Sequence, residues 1–202
     1  MYIDAMSSDG TDTRSKILDA AWKLLEEGKG NSVRMSDIAK AAGISRQAVY
    51  LHFPSRAELL TETTRHIDRT KNIEARLLPS RTARNGRERI AAFVEAWGNY
   101  IPEIYGVVQA IMAMKDTDPE AAAAWADRMR ALREGCAAAI RDLKRDGTLT
   151  TSLTEKEAVD MLWTLLSVRT WEHLRIDCGW PQKRYIAEIL SIARKTLLAR
   201  WT

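Results

Sequence analysis

The sequence predicts an all-α fold, and three observations support that prediction. Apolar residues recur along nearly the whole chain at the 3.6-residue spacing of amphipathic helices. Two helix starts are explicit, because Ser55 with Glu58 and Thr154 with Glu157 have the spacing of a capping box. No segment shows the apolar and polar alternation of a half-buried strand. We therefore expect a chain built from helices.

The N-terminal part is expected to contain an irregular lead, three helices and a longer fourth one. Residues 1–12 bury too little apolar surface to offset their ordering entropy, so we expect a disordered lead. The first helix ends near Gly28, and a fourth helix is expected from the Ser55 capping box to about Leu77. The apolar stripes of the first two helices are Ile17, Leu18, Ala21, Leu24 and Leu25, then Met35, Ile38, Ala39 and Ala42.

The C-terminal part follows a Pro-, Ser-, Asn- and Gly-rich segment, residues 78–86, which predicts a linker and a domain boundary. The next helix contains Pro102 and is expected to kink there. Another begins at Pro119 and ends at Gly147. A helix from Thr154 to about Cys178 and a last one after Pro181 have broad apolar surfaces, which predict a homodimer. The alternative is a single-chain bundle that buries both.

Composition excludes some protein classes but identifies no function. The chain has 202 residues, 46% of them hydrophobic, with a net charge of +4. This mild basicity suits a polyanionic partner and also many proteins without one. Cys136 and Cys178 lack metal-ligand spacing, so we expect no disulfide framework, no zinc site and a reducing cytoplasm as the location. The N-terminal residues have no apolar core of signal-peptide length and no run reaches about 18 apolar residues, so we expect neither a signal peptide nor a membrane span.

The run from Asp37 to Leu60, DIAKAAGISRQAVYLHFPSRAELL, has the pattern of a helix-turn-helix. Ala39 allows a close helix crossing, Gly43 allows the left-handed turn, and Val49 packs from the second helix. Ser45 is expected to cap that second helix. The side chains expected to face outward are Arg46, Gln47, Tyr50 and His52. Because the opening turn of this helix reaches base edges when such motifs dock, the pattern predicts DNA binding; an ordinary helical corner is the alternative.

No catalytic, cofactor or metal site is predicted. The sequence contains no nucleophile elbow, phosphate-binding loop or Gly-rich dinucleotide turn. His66 and His173 lack the spacing of metal ligands to a carboxylate or a second histidine. We expect a protein that is not an enzyme.

The whole chain resembles the TetR family of bacterial transcriptional regulators. The likeness is strongest from Arg14 to Leu60, in KILDAAWKLLEEGKG and the helix-turn-helix run, and from Arg87 onward it lies in helix number and length. The resemblance implies a three-helix DNA-binding domain, residues 13–56. A connecting helix would join it to a larger C-terminal ligand-binding and dimerisation domain, and these together would form residues 57–202. An inverted-repeat operator and a small-molecule effector are the partners that it implies.

By position, the resemblance also implies roles for individual residues. Arg46 and Gln47 would read bases, consistent with the fork of Arg on guanine and of Gln on adenine. The full expected DNA-binding set is Arg34, Ser36, Ser45, Arg46, Gln47, Tyr50, His52 and Arg56, of which Tyr50, His52 and Arg56 would hold phosphates. Two positions depart from the family. Arg34 replaces the usual Ser or Thr cap, and Leu51 replaces a common aromatic or polar contact residue, so that it would only touch a thymine methyl group.

The resemblance implies a ligand pocket in the C-terminal domain. It does not identify the compound that would bind there. The apolar wall candidates in this sequence are Trp97, Tyr100, Ile104, Met112, Trp125, Met129, Trp163 and Trp171. An inward Glu95, Glu103 or Asp160 would select a cation. Two hypotheses follow: a repressor released by a small, largely apolar ligand, or a regulator whose C-terminal domain only dimerises or docks a protein. A closed cavity that takes up a compound would separate them.

Overall fold

Ten α-helices make up the part of the chain that the computed structural model describes, residues 5–28 and 33–199. They are α1 (Ala5–Gly28), α2 (Met35–Ala42), α3 (Arg46–His52), α4 (Arg56–Thr70), α5 (Ile73–Arg81), α6 (Gly86–Met114), α7 (Pro119–Arg145), α8 (Glu155–Leu165), α9 (Val168–Glu172) and α10 (Gln182–Leu197). A π-helical segment, His173–Asp177, follows α9. Within these ranges the β-type pairing is limited to one isolated bridge, Leu149 with Leu198. The predicted all-α class is confirmed.

The helices form two compact units. The first contains the chain up to Lys71 together with Gly106–Arg128, and the second contains Asn72–Tyr105 together with the chain from Met129 onward. The division therefore differs from the boundary expected near residues 78–86. The difference arises because α6 and α7 are each divided between the two units. Every helix in the described ranges is too short or too polar to cross a lipid bilayer.

The core of the first unit forms where α1 packs against α2 and α4. Its fully or nearly fully buried side chains include Ile17, Leu18, Ala21, Leu25, Ile38, Ala39, Val49, Phe53, Leu59 and Leu60. The residues of the two predicted apolar stripes are buried except for Leu24 and Ala42, which are half-buried. The described part of the chain is already helical at Ala5, so residues 5–12 differ from the expected irregular lead. Extending an existing helix orders one residue per added hydrogen bond, which costs much less than starting one.

Ion pairs connect α4 to the first part of α7 within this unit. Arg65 of α4 contacts Asp127 at 3.1 Å, and Arg128 of α7 contacts Asp68 of α4 at 2.6 Å. Asp127 is largely buried; burial acts against its charged form, but bonds from Arg128 and Arg65 hold its pKa below the ordinary value. The pairs therefore fix how these two helices align.

The expectation of one helix from Ser55 to Leu77 is wrong. The α4 helix ends at Thr70, and Asn72 adopts a left-handed conformation with φ 55° before α5 begins at Ile73. Asn tolerates this conformation better than most residues, because its short polar side chain can bond locally. A cap of this kind lies within a run of good helix formers, so the helical period alone does not reveal it.

Residues 78–86 are not a linker over their whole length. The α5 helix continues through Pro79 to Arg81, and α6 begins at Gly86. A Cβ atom on Gly86 would lie 2.5 Å from the backbone nitrogen of Leu143, so glycine permits the close contact between α6 and α7. The Gly86 amide also donates to Asp146 at 2.5 Å. This glycine therefore serves packing, which composition alone does not distinguish from flexibility.

In the second unit α10 packs against the middle of α6, where a Cβ atom on Gly98 would lie 3.1 Å from the Ile186 side chain. The buried residues of this unit include Val94, Tyr100, Ile101, Cys136, Ile140, Leu143, Leu162, Tyr185 and Ile189. The helix expected from Thr154 to Cys178 is interrupted, because Ser167 caps a new helix by accepting from the Thr170 amide at 3.1 Å. A serine side chain that bonds to nearby backbone competes with the helical ladder.

Candidate nucleic-acid interface

The turn between α2 and α3 has the geometry that its sequence predicts. Gly43 adopts φ 69° and ψ 29°, and the Ile44 amide donates to the Ala39 carbonyl at 3.0 Å. A Cβ at Gly43 would meet nothing within 4 Å, so the left-handed backbone is what favours glycine here. Ala39 and Val49 are buried where the two helices cross. The helix-turn-helix is therefore formed.

The start of α3 is capped as predicted. The Ser45 hydroxyl accepts from the Ala48 amide at 3.1 Å, which satisfies one of the free donors at the helix start. At the other end, the Phe53 amide donates to the Val49 carbonyl at 2.9 Å. Since Val49 and Phe53 are fully buried, α3 is fixed by one face, and its remaining surface faces outward.

The outward surface of α3 consists of two rows of side chains spaced four residues apart. In the first row, the Arg46 guanidinium donates to the Tyr50 hydroxyl at 3.3 Å and lies 5.5 Å from the centre of its ring. This hydrogen bond raises the pKa of Arg46. The second row contains Gln47 and Leu51, both exposed. His52, the last residue of α3, is partly exposed.

An open groove of about 700 Å³ runs beside Arg46 and Tyr50. Its lining residues are Arg34, Met35, Ser36, Arg46, Tyr50, Pro54, Ser55, Arg56, Asp118 and Glu120. Five of the eight expected DNA-binding residues thus lie around one concave surface. Sequence reasoning did not find Asp118 and Glu120, because their proximity depends on packing between segments about 60 residues apart. The groove is lined by arginines and by two acidic residues, Asp118 and Glu120. Only the arginine side chains would attract a phosphate backbone.

The start of α2 contains half of a capping box. The Asp37 carboxylate accepts from the Arg34 backbone amide at 3.2 Å. The reciprocal bond would need an acceptor on the Arg34 side chain, and a guanidinium has none. Arg34 therefore does not supply the side-chain cap that Ser or Thr would give at this position. Its side chain and that of Ser36 are exposed at the groove.

Arg56, which the resemblance placed on a phosphate, lies inside the first unit. Its side chain is 10% exposed, its Nε donates to the Val33 carbonyl at 2.5 Å, and a terminal nitrogen contacts Asp118 at 2.6 Å. Glu120 accepts from the Ala57 amide at 3.2 Å, so α4 is tied at its start to the start of α7. At 10% exposure, little of this side chain is accessible to a phosphate. The structure favours an internal role for Arg56.

The predicted ligand-wall residues fall into two groups. Met112 and Trp125 belong to the first unit, and the second unit contains Trp97, Tyr100, Ile104, Met129, Trp163 and Trp171. Tyr100 is 1% exposed, with its ring centre 5.8 Å from that of Trp97. The Trp97 indole donates to the Leu166 carbonyl at 2.7 Å, and the Trp171 indole to Gln182 at 3.0 Å. These indole groups are already bonded within the unit.

The three acidic residues considered as cation selectors are either paired with arginines or exposed. Glu103 pairs with Arg76 at 2.7 Å, and Asp160 pairs with Arg133. Glu95 is exposed. Among the residues with described side chains, no three His, Cys, Asp or Glu groups converge as a metal site would require. His66 contacts Asp19 at 2.7 Å, and His173 contacts Asp177 at 3.1 Å.

Comparison with known proteins identifies the family to which the sequence is similar. Residues 17–63 match the description of bacterial regulatory proteins of the tetR family. The HTH-type transcriptional regulator UidR of Escherichia coli K12 is 25% identical over 187 residues, which span 89% of this chain and 93% of that protein. The chain belongs to the TetR family. This TetR-family protein is therefore a DNA-binding transcriptional regulator, and its relatives are regulators rather than enzymes.

Solved structures agree with the TetR-family fold. A transcriptional regulator from Saccharomonospora viridis in complex with choline has a TM-score of 0.72 at 20% identity, covering 94% of this chain and all 100% of that one. NalD, the secondary repressor of the MexAB-OprM multidrug efflux pump in Pseudomonas aeruginosa, has a TM-score of 0.70 at 21% identity, covering 96% and 100%. At these identities, the likeness shows the fold.

Proposed function

We propose that this TetR-family regulator is a cytoplasmic homodimeric repressor that binds an inverted-repeat operator and is released by a small, largely apolar ligand. The outward surface of α3 carries this proposal. A buried Val49 face fixes the helix, while Arg46 and Gln47 remain exposed in its opening turn. These two side chains have the donor and acceptor geometry that discriminates guanine and adenine in the major groove.

Exposed apolar residues on the last helices support the dimer. Met161 of α8 and Ile192 of α10 are each 40% exposed, although both helices also carry buried faces. A second copy would bury both by two-fold symmetry, and a two-fold dimer would present two identical α3 helices. The preferred site would then be an inverted repeat with half-sites about one helical turn apart. NalD, a protein of similar fold, is a repressor, and this supports the proposed direction of regulation.

Two buried donors support a ligand. The Tyr185 hydroxyl and the Trp163 indole nitrogen are buried and have no hydrogen-bond partner among the described residues. Such a group costs about 1 to 3 kcal/mol, so a bound molecule with an acceptor would be favoured beside it. Burial also raises the pKa of Tyr185, which keeps its phenol protonated and a donor. The choline complex of a regulator with this fold is a second support for a small effector.

One observation favours the alternative, a C-terminal unit that only dimerises or docks a protein. Three of the six wall candidates in the second unit, Trp97, Tyr100 and Trp171, are buried or hydrogen-bonded within it. Side chains of this kind are more often packing than pocket. The alternative shares the DNA-binding part and differs only in lacking an effector.

Selection of duplexes from a random library by the full-length protein tests the DNA-binding part. We expect inverted repeats, with an affinity that falls steeply as salt rises. Recovery of asymmetric sites alone would contradict the dimer, and recovery of no sites would contradict operator binding. Tryptophan fluorescence against apolar and cationic aromatic compounds then tests the sensor. A hit should weaken operator binding about 5- to 150-fold, and DNA should weaken its binding by the same factor.

A further inference from the structure

Leu51 has the largest exposed fraction of the large apolar residues whose exposure is described. It is 82% exposed, compared with 40% for Met161 and Ile192 and 57% for Ile176. A single exposed leucine on a protein surface is ordinary. Its position is what matters here, because it lies on the outward surface of α3, opposite the fully buried Val49.

The neighbours of Leu51 are polar groups suited to base edges. Gln47 lies one turn earlier in the same row, and the bonded pair of Arg46 and Tyr50 forms the adjacent row. Side chains four residues apart lie on one face of a helix. An apolar group thus lies beside Gln47 on the surface that would enter the major groove.

The major groove offers one apolar group for such a side chain. Thymine carries a C5-methyl group there, whereas cytosine presents an amino donor and no methyl. Packing of leucine against a methyl group removes apolar surface from water, and leucine over a cytosine would desolvate the amino group without bonding it. The same side chain therefore attracts thymine and rejects cytosine.

We propose that Leu51 is a specificity residue that packs on the C5-methyl group of a thymine, next to the base that Gln47 reads, in each half-site. This inference rests on the proposed operator binding by α3. It adds a contact that selects thymine by shape and apolarity, in contrast to the hydrogen bonds of Arg46 and Gln47. The occupant is a thymine of duplex DNA.

The test replaces thymine with deoxyuridine, which differs only in lacking the methyl group. Duplexes selected by the full-length protein are resynthesised with deoxyuridine at one pair of symmetry-related positions at a time. We expect one such pair to weaken wild-type binding about fourfold per half-site, about sixteenfold in all. Leu51→Ala should bind the thymine duplex more weakly by a similar factor and show no further weakening with deoxyuridine at that pair.

Two controls make the result specific. Leu78→Ala changes an exposed leucine of α5 in the second unit and should retain the full response to deoxyuridine. Leu51→Met keeps an apolar side chain and should retain most of it. Equal weakening of wild type and Leu51→Ala at every position, or no weakening of wild type anywhere, would overturn the inference. Failure to select any duplex would instead contradict the proposed function.

Discussion

Arg56 and Arg34 are two arginines at the same groove with opposite surroundings. Arg56 is 10% exposed and bonded to Val33 and Asp118, whereas the Arg34 side chain is exposed. A cation held by internal acceptors has few donors left for a phosphate, while an exposed cation can reach one. Burial, rather than distance from the groove, therefore distinguishes the two arginines, and we expect only Arg34 to contact a phosphate.

Arg56→Ala should consequently affect stability, whereas Arg34→Ala should affect the salt dependence of DNA binding. We expect Arg56→Ala to lower the free energy of unfolding by about 3 kcal/mol, because it leaves the largely buried Asp118 carboxylate without its cation. The slope of log affinity against log salt should stay unchanged for that variant. Arg34→Ala should keep its stability and make the slope shallower by roughly one for each phosphate that the side chain no longer holds. The reverse pattern in urea titrations and salt series would restore the phosphate role to Arg56.

Asp118 predicts a pH dependence of stability. Burial acts against its charged form, but hydrogen bonds from Arg56 and from the amides of Ala121 and Glu120 hold its pKa below the ordinary 3.8. A carboxyl with a lowered folded-state pKa stabilises the protein above the unfolded-state pKa, and the contribution is lost as pH falls through the folded value. Asp118→Asn should therefore be less stable than wild type near pH 6, and the gap should narrow toward about pH 3. A gap independent of pH in urea midpoints would exclude this carboxylate as the cause.

At the scale of helices, close contacts decide where the chain bends and packs. Two of the three glycines in α6, Gly86 and Gly106, have different surroundings. A Cβ on Gly86 would lie 2.5 Å from the Leu143 backbone nitrogen, whereas at Gly106 the nearest atom is the Glu26 side chain at 3.5 Å. Backbone atoms of a packed helix move only if the helix moves, while ordinary van der Waals contact needs no movement.

Gly86→Ala and Gly106→Ala are therefore a matched pair within one helix. We expect Gly86→Ala to destabilise the protein by about 1 to 3 kcal/mol through overpacking against α7. Gly106→Ala should stabilise it by about 0.5 to 1 kcal/mol, since alanine is the better helix former. Thermal unfolding of both variants and wild type measures the two effects. A stable Gly86→Ala protein would mean that α6 and α7 separate at little cost.

At the scale of the molecule, the proposed dimer makes function depend on association. Met161 and Ile192 are partly exposed on α8 and α10, where a second copy would bury them. Two half-sites bound by one dimer gain affinity that separate chains do not have. Operator binding and self-association should then disappear together.

Met161→Glu with Ile192→Glu should convert the protein to a monomer and abolish tight operator binding, because two charges would be buried without partners. Leu78→Glu is the control, an exposed apolar residue of α5 that should leave the dimer intact. Sedimentation velocity measures the oligomeric state, and binding to the selected duplex measures function. A double variant that stays dimeric would exclude α8 and α10 as the interface.

The all-α class, the helix-turn-helix and the caps at Ser45, Ser55 and Thr154 could all be predicted from the amino-acid sequence. These features depend on residues within one or two helical turns, so local spacing is enough to specify them. The internal position of Arg56 could not be predicted in this way, because its partner Asp118 lies 62 residues away along the chain. The same is true of the packing of Gly86 against α7. Contacts between distant segments depend on how helices pack, and helical spacing carries no information about that packing.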